Sequence, residues 1–250
     1  CSETHETHGT IYKLIKNYGK HQDLRNYMLF SPDYEANSKV KRTYQKVRLP
    51  KEIIYFSEAS DGLKMTHYYK RAWNYLKGRN ITEDLIKKHK IGFCYEGEYA
   101  NRIIIPSYNK KGILNYFISR SYEKYVLPKY KNPEAEKEKI IWNQHLIDWK
   151  KPIYLVEGVF DHIFLPNSIP LLGKVMSEKL FFLLYKRAKK IIIVLDPDTW
   201  EKDYPDTEKL YGKLNGGKLM NKIWYIKLTG DDDIAELEGN IHNYEEIQYD

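Results

Sequence analysis

From residue 152 onward, short apolar runs alternate with helical segments, and this alternation constrains the fold more than any other feature of the sequence. "PIYLVEG" (152–158), "SIPLLG" (168–173), "KKIIIVLD" (189–196) and "KIWYIKL" (222–228) read as strands. Between them, "VFDHIFL" (159–165), "SEKLFFLLYKRA" (177–188, with Ser177 as N-cap) and "DTEKLYGKLNG" (206–216) read as helices. Strands that are apolar throughout are buried on both faces, and intervening helices supply the crossovers that parallel strands require. The expected fold class is α/β, with a parallel sheet covered on both sides.

The residues before 152 are less regular. "GTIYKLIKNYG" (9–19) reads as a helix closed by Gly19, and residues 20–60 as a polar connector with Pro32 and Pro50. Helices are expected over 67–80, ending at Gly78, and over 81–92, with Thr82 as N-cap. "NRIIIPSYNKKGILNYFISRS" (101–121) reads as a β-hairpin around an Asn-Lys-Lys-Gly turn. Residues 132–149 read as a helix after Pro133, with early acids suited to a helix N-terminus. Boundaries are therefore expected at 1–20, 21–65, 66–150, 151–240 and a tail over 241–250.

Charge divides along the same line. Residues 1–150 hold 28 Lys/Arg against 17 Asp/Glu, and residues 151–250 hold 13 against 17. A basic first part joined to an acidic second part fits a polyanion partner and a cation site; an uneven but solvated surface is the alternative. No window approaches the ~18 apolar residues of a membrane span. No basic segment followed by an apolar run opens the chain, so no signal peptide is expected. Two distant cysteines, Cys1 and Cys94, make a disulfide framework improbable and fit a reducing compartment.

The acids collect at strand ends. Glu157 ends the first strand, and Asp161 follows one helical turn later. Asp196 ends the third strand, with Asp198 two residues on and on the same side of an extended chain. The fourth strand runs into Asp231, Asp232 and Asp233. Sites in open parallel sheets form outside the carboxyl ends of the strands. Taken singly, Glu-Gly is turn chemistry, Asp-x-Asp a solvated loop and Asp-Asp-Asp surface; their recurrence at neighbouring strand ends points to a site. Two carboxylates about 4 Å apart repel by about 4 kcal/mol at an effective dielectric of about 20. A bound cation relieves that repulsion, and oxygen-only ligands suit Mg²⁺ or Mn²⁺, ions that serve phosphoryl and nucleotidyl transfer.

The ordered motifs "YLVEGVFD", "LLGKVMSEKL" and "IIIVLDPD" resemble the TOPRIM domain of primases, topoisomerases and some nucleases. Before them, "YLKGRNITEDLIKKHKIGF", "NRIIIPSYNKKGILNYFISRS" and "LPKYKNPEA" resemble the RNA-polymerase core of bacterial and phage replicative DNA primases, over about residues 66 to 238. The resemblance implies a mixed N-terminal α+β subdomain followed by a TOPRIM Rossmann-like parallel sheet. It implies Glu157, Asp196 and Asp198 as catalytic acids. Two Mg²⁺ or Mn²⁺ ions are implied on Glu157, Asp161, Asp196, Asp198 and Asp233, with Asp232 a near alternative to Asp233. Arg102, Arg120, Lys129, Tyr130 and Asn132 are implied at a surface for nucleic acid or nucleotide.

"CSETHETHGTIYKLIKNYG" resembles the last knuckle of a primase zinc ribbon and its following helix. A remnant zinc site is implied through Cys1 and His5, with His8 as substitute; a start with incidental histidines is the alternative, because four ligands are not in view. Two departures stand out: "DPDTWEKD" where the family has Asp-Gly-Asp and a further Gly, and Ile118-Ser119 where it has Gly-Gly before Arg120. The implied activity is synthesis of short RNA primers on a single-stranded DNA template from ribonucleoside triphosphates. A replicative helicase partner, a cytoplasmic location and a bacteriophage or mobile-element origin are expected with it. The alternatives are a TOPRIM-type nuclease and an inactive, single-strand-binding replisome adaptor.

Overall fold

The computed structural model describes residues 46–172, 176–196, 222–228 and 232–248, which belong to one compact unit, Tyr44–Asp250. Cys1, His5, His8, Asp198, Asp231 and the helices expected over 9–19 and 206–216 lie outside the described residues.

The first sheet is antiparallel, in the order β1 (Ile54–Tyr55), β2 (Gly92–Cys94), β3 (Arg102–Tyr108), β4 (Leu114–Ser121). β3 and β4 form the expected hairpin. Asn109 builds its turn: the backbone N–H donates to Ile113 O at 2.9 Å, and Oδ1 accepts from the Lys111 N–H at 2.8 Å. Three helices precede the hairpin: α1 (Asp61–Lys64), α2 (His67–Lys77) and α3 (Glu83–Lys88). Thr66 and Thr82 cap α2 and α3 by accepting from the N–H groups of Tyr69 and Leu85. α2 turns Tyr69, Ala72 and Leu76 inward at helical spacing, against Phe56 and Phe93.

The second sheet holds β5 (Ile153–Val156), β6 (Ser168–Pro170), β7 (Ile191–Leu195), β8 (Ile223–Lys227) and β9 (Glu246–Gln248), in the order β6-β5-β7-β8-β9. The first four are parallel, as the continuous apolar runs predicted. Helix α4 (Val159–Phe164) links β5 to β6, and α5 (Glu178–Arg187), capped by Ser177, precedes β7. Strand parity sorts the core. Ile153, Leu155, Ile191, Ile193 and Leu195 face one way, and Val156, Ile192 and Val194 the other. All six residues of α4 are buried, and Val159, Phe160, Ile163 and Phe164 join the core beneath the antiparallel sheet. Each such side chain contributes ~1.5–3 kcal/mol of burial.

Two segments differ from expectation. Residues 132–149 form no α-helix, only 3₁₀ turns at Lys137–Lys139 and Gln144–Leu146. The reason lies in two cores that claim alternate side chains: Ile140 and Trp142 enter one and Ile141 the other, which demands extended chain. Asn143 then turns left-handed, with φ 41° and ψ 43°. The expected tail over 241–250 contains β9, which pairs antiparallel with β8 and places Ile247 opposite Tyr225. Lys190 and Glu246 form an ion pair beside it.

Two features carry predictions. Gly239 has φ +75°, and a Cβ there would stand 2.6 Å from the Phe164 carbonyl oxygen at the end of α4. Gly239→Ala is expected to cost about 1–3 kcal/mol or more, read as a lower urea midpoint. His89 is buried and held neutral, its pKa lowered to about 4, first by burial and then by Lys88, with the Ile163 carbonyl acting the other way. The unfolded chain takes up that proton near pH 6.5 and the folded chain does not until about 4. The His89 contribution to stability therefore falls as pH drops through that window, by on the order of 3 kcal/mol. His89→Leu is expected to flatten this acid limb in melting curves recorded between pH 7 and pH 4.

Candidate active site

The carboxyl ends of β5 and β7, two adjacent strands, each release an acid. Glu157 follows β5 and Asp196 follows β7; Leu155 pairs with Ile193, so these two acids leave neighbouring strands at nearly the same level. Asp233 lies past β8. Its Oδ1 accepts from the Glu236 N–H at 2.8 Å, while Glu236 Oε2 accepts from the Asp233 N–H at 3.0 Å. This reciprocal pair fixes the turn and leaves Asp233 half-buried.

Asp161 lies behind the edge, in the first turn of α4, and is 5% exposed. Its Oδ2 accepts from the Gly158 N–H at 2.7 Å. Burial pushes its carboxyl up to about 7; the Gly158 bond opposes that, the charges of Asp233 and Glu157 add to it, and Arg79 pulls it back down. Glu157, Asp161, Asp233 and Arg79 thus share one electrostatic environment. Among the described residues, no three acidic, His or Cys side chains converge closely enough to hold a metal ion. The donor chemistry is nevertheless that of a hard cation. The raised Asp161 reflects burial first, with the charges of Asp233 and Glu157 adding to it.

A cationic cluster gathers around Phe160, the residue before Asp161 on α4. The Arg79 guanidinium lies 4.8 Å from the Phe160 ring centroid, and that of Arg120 lies 5.0 Å from the same centroid. Arg79 Nε donates to Tyr75 Oη at 3.0 Å. Arg120 lies 5.0 Å from the Tyr130 ring centroid and is hydrogen-bonded to its hydroxyl. The exposed Lys129 has its pKa lowered by Arg120 first, then by burial and Arg79, so three cations converge. No ion pair among the described residues uses Arg79 or Arg120. Guanidinium groups supported by aromatic rings have the chemistry that pairs with phosphate oxygens.

The residues expected from sequence take distinct places. Arg120, Lys129 and Tyr130 come together. Arg102 is 2% exposed, and its guanidinium donates to the carbonyl oxygens of Pro128, at 2.6 Å, and Lys129, at 3.3 Å. In this geometry it holds the loop that presents Lys129. Asn132 Oδ1 accepts from the Ser119 N–H at 3.0 Å, tying the same loop to β4. Cys94 is fully buried, and burial pushes its thiol up to about 12, as suits a core residue. Arg79 and Phe160 escaped the sequence reading. Arg79 directly follows the helix-closing Gly78, where an arginine is ordinarily solvated, and only the fold brings it over Phe160.

No family model matches the sequence. An uncharacterized protein of Mycoplasma genitalium, MG010, is 31% identical over 175 residues, covering 66% of this chain and 78% of that protein. The chain belongs to one family with MG010. A DNA primase of Mycoplasma pneumoniae is 32% identical over 138 residues, 50% of this chain but 22% of the primase. The chain thus spans about a fifth of that longer relative. A DnaG primase catalytic domain solved with single-stranded DNA superimposes with a TM-score of 0.58 at 15% identity, over 73% of this chain and 74% of that one. The fold is that of a DnaG primase catalytic core, and the resemblance to replicative DNA primases holds in sequence and in fold.

Within this primase fold Asp161 is kept at the expense of stability. Its folded pKa of about 7 exceeds its unfolded value of 3.8, so its contribution to stability falls as pH rises between them. Asp161→Asn, which keeps an acceptor for the Gly158 N–H, is expected to raise the melting temperature at pH 8 and leave it unchanged near pH 4. The pH-8 gain is on the order of a few kcal/mol.

Proposed function

We propose that the chain is the catalytic core of a DNA primase, joining ribonucleoside triphosphates on a single-stranded DNA template. One observation carries this reading: the acidic edge of the parallel sheet and the cluster of Arg79, Arg120 and Lys129 meet at one helix, α4, where Asp161 feels the charges of Glu157, Asp233 and Arg79 and Phe160 carries the two arginines. A nucleotidyl-transfer site needs that pairing, acids for the reacting end and cations for the phosphates.

In this reading the β5–β8 half is a TOPRIM domain. Glu157, Asp196 and Asp198 would hold two Mg²⁺ or Mn²⁺ ions, with Asp161 and Asp233 behind them. Bound there, such ions supply charge neutralisation to the attacking oxygen and the triphosphate. Arg79, Arg120 and Lys129 grip phosphate oxygens of the incoming nucleotide or nascent primer. Tyr130, 41% exposed and braced by Arg120, offers a face on which a base can stack. Arg102 and Asn132 fix the loop that carries these groups. Glu157 accepts the proton of the primer 3′-hydroxyl as its oxygen attacks the α-phosphorus, and pyrophosphate leaves. A zinc ion on Cys1 and His5, a helicase partner and a cytoplasmic location belong to the same proposal. No helix among the described residues is long and apolar enough to cross a membrane.

The test incubates the chain with a single-stranded template, labelled ribonucleotides and Mg²⁺ or Mn²⁺. Asp196→Ala and Glu157→Gln are each expected to lower oligoribonucleotide yield by about 100-fold or more, while template binding, read by fluorescence anisotropy, stays within about twofold. Shortened template without new oligoribonucleotides would replace the polymerase with a nuclease. Metal binding and template affinity untouched by both variants, with no synthesis from wild type, would leave a single-strand-binding adaptor.

A further inference from the structure

Through His162, the residue after Asp161, α4 carries a hydrogen-bond chain that the nucleotidyl-transfer reading does not use. Asn143 is buried in the connector between the two sheets, and its N–H donates to Ser107 Oγ of β3 at 3.0 Å. Its Oδ1 accepts from the Tyr108 N–H at 3.1 Å. Its Nδ2 faces Nε2 of His162, on α4, at 3.5 Å. His162 Nδ1 lies 3.0 Å from both the carbonyl oxygen and the hydroxyl of Ser168, at the start of β6. The Ser168 hydroxyl donates to the Leu165 carbonyl at 2.6 Å.

The protons in this chain can be assigned. A carbonyl accepts only, and the Ser168 hydrogen is committed to Leu165, so His162 Nδ1 is the protonated nitrogen. Nε2 is then a bare acceptor. Asn143 must present its NH₂ to it, since its Oδ1 already takes the Tyr108 N–H. Every link has one direction: Tyr108 to Asn143, Asn143 to His162, His162 to Ser168. The run therefore ties β3 of the basic sheet to the acid-bearing helix and on to the parallel sheet.

α4 has six residues, too few to hold an orientation by helix propensity. Its rotation is set by what grips its sides. Asp161 and His162 are neighbours in the chain, so an error in the setting of one face moves the other. We infer that His162 is a positioning residue: through Asn143 and Ser168 it fixes the rotation of α4, and thereby the aim of Asp161 and the placing of Phe160 between Arg79 and Arg120. This inference rests on the nucleotidyl-transfer reading above for its kinetic consequence, not for its geometry.

Two variants separate hydrogen bonding from bulk. His162→Phe keeps a ring and loses both bonds. His162→Gln keeps one donor and one acceptor at reachable positions. In the primer-synthesis assay His162→Phe is expected to lower kcat by about tenfold or more, the scale of a sub-ångström misplacement, with KM for nucleotide within about twofold. His162→Gln is expected to restore most of the loss. Equal losses in both variants, full turnover in His162→Phe, or a change confined to KM would each overturn the inference. If wild type makes no oligoribonucleotide, the primase reading fails and the positioning role is judged without activity. Then ¹⁵N NMR is expected to show His162 as the Nδ1–H tautomer, and amide exchange at Phe160 and Asp161 to quicken in His162→Phe but not in His162→Gln. An Nε2–H tautomer, or equal exchange in the two variants, would overturn it.

Discussion

The burial of one short helix between two sheets governs this molecule. α4 has no exposed face: Val159, Phe160, Ile163 and Phe164 fill the core under the antiparallel sheet, and Asp161 and His162 are its polar sides. A six-residue helix alone in water is unstable, because nucleation fixes several residues for few hydrogen bonds. Packing from both sides supplies what the helix lacks. The same packing forces two ionisable groups out of solvent, and each is met by a specific partner: the Gly158 N–H for Asp161, and Ser168 with Asn143 for His162. Polar groups buried this way restrict the helix to one rotation, since any other would leave them unsatisfied.

Charge is sorted by the same helix. Acids stand at the open edge of the parallel sheet, and arginines lean on the aromatic ring at position 160, next to Asp161. Arg79 is near enough to Asp161 to pull its pKa down, yet no ion pair forms between them among the described residues. The ion pairs that do form among the described residues, such as Arg71 with Glu123 and Lys131 with Glu98, lie elsewhere. Arg79 and Arg120 are held instead by tyrosine hydroxyls and the Phe160 ring.

Local chemistry was readable in the sequence and long-range chemistry was not. Gly78, Thr82 and Ser177 each mark a helix boundary through contacts within four residues, and Asn109 marks the hairpin turn the same way. The parallel sheet was legible because its strands are apolar on both faces. Residues 132–149 misled because helix-forming composition was overruled by two cores claiming Ile140, Ile141 and Trp142 in alternation. Part of the candidate site was legible as well: acids at strand ends follow from topology alone. Arg79 over Phe160 and Asn143 against His162 join residues 81 and 19 positions apart, and no spacing rule connects them. Arg102 looked like a surface contact because its sequence neighbours do not reveal the Pro128 and Lys129 carbonyls that claim it.

The rims of the parallel sheet have a consequence for assembly. Among the described strands, β6 at one rim is three residues long and ends in Pro170, which has no amide hydrogen to offer a newcomer. β9 at the other rim is equally short, antiparallel to its neighbour, and flanked by Glu246 paired with Lys190. Both borders thus resist lengthening by a strand from another molecule. Among the described residues, a docking protein is therefore met more readily by side chains on the helical flanks than by a continued backbone ladder.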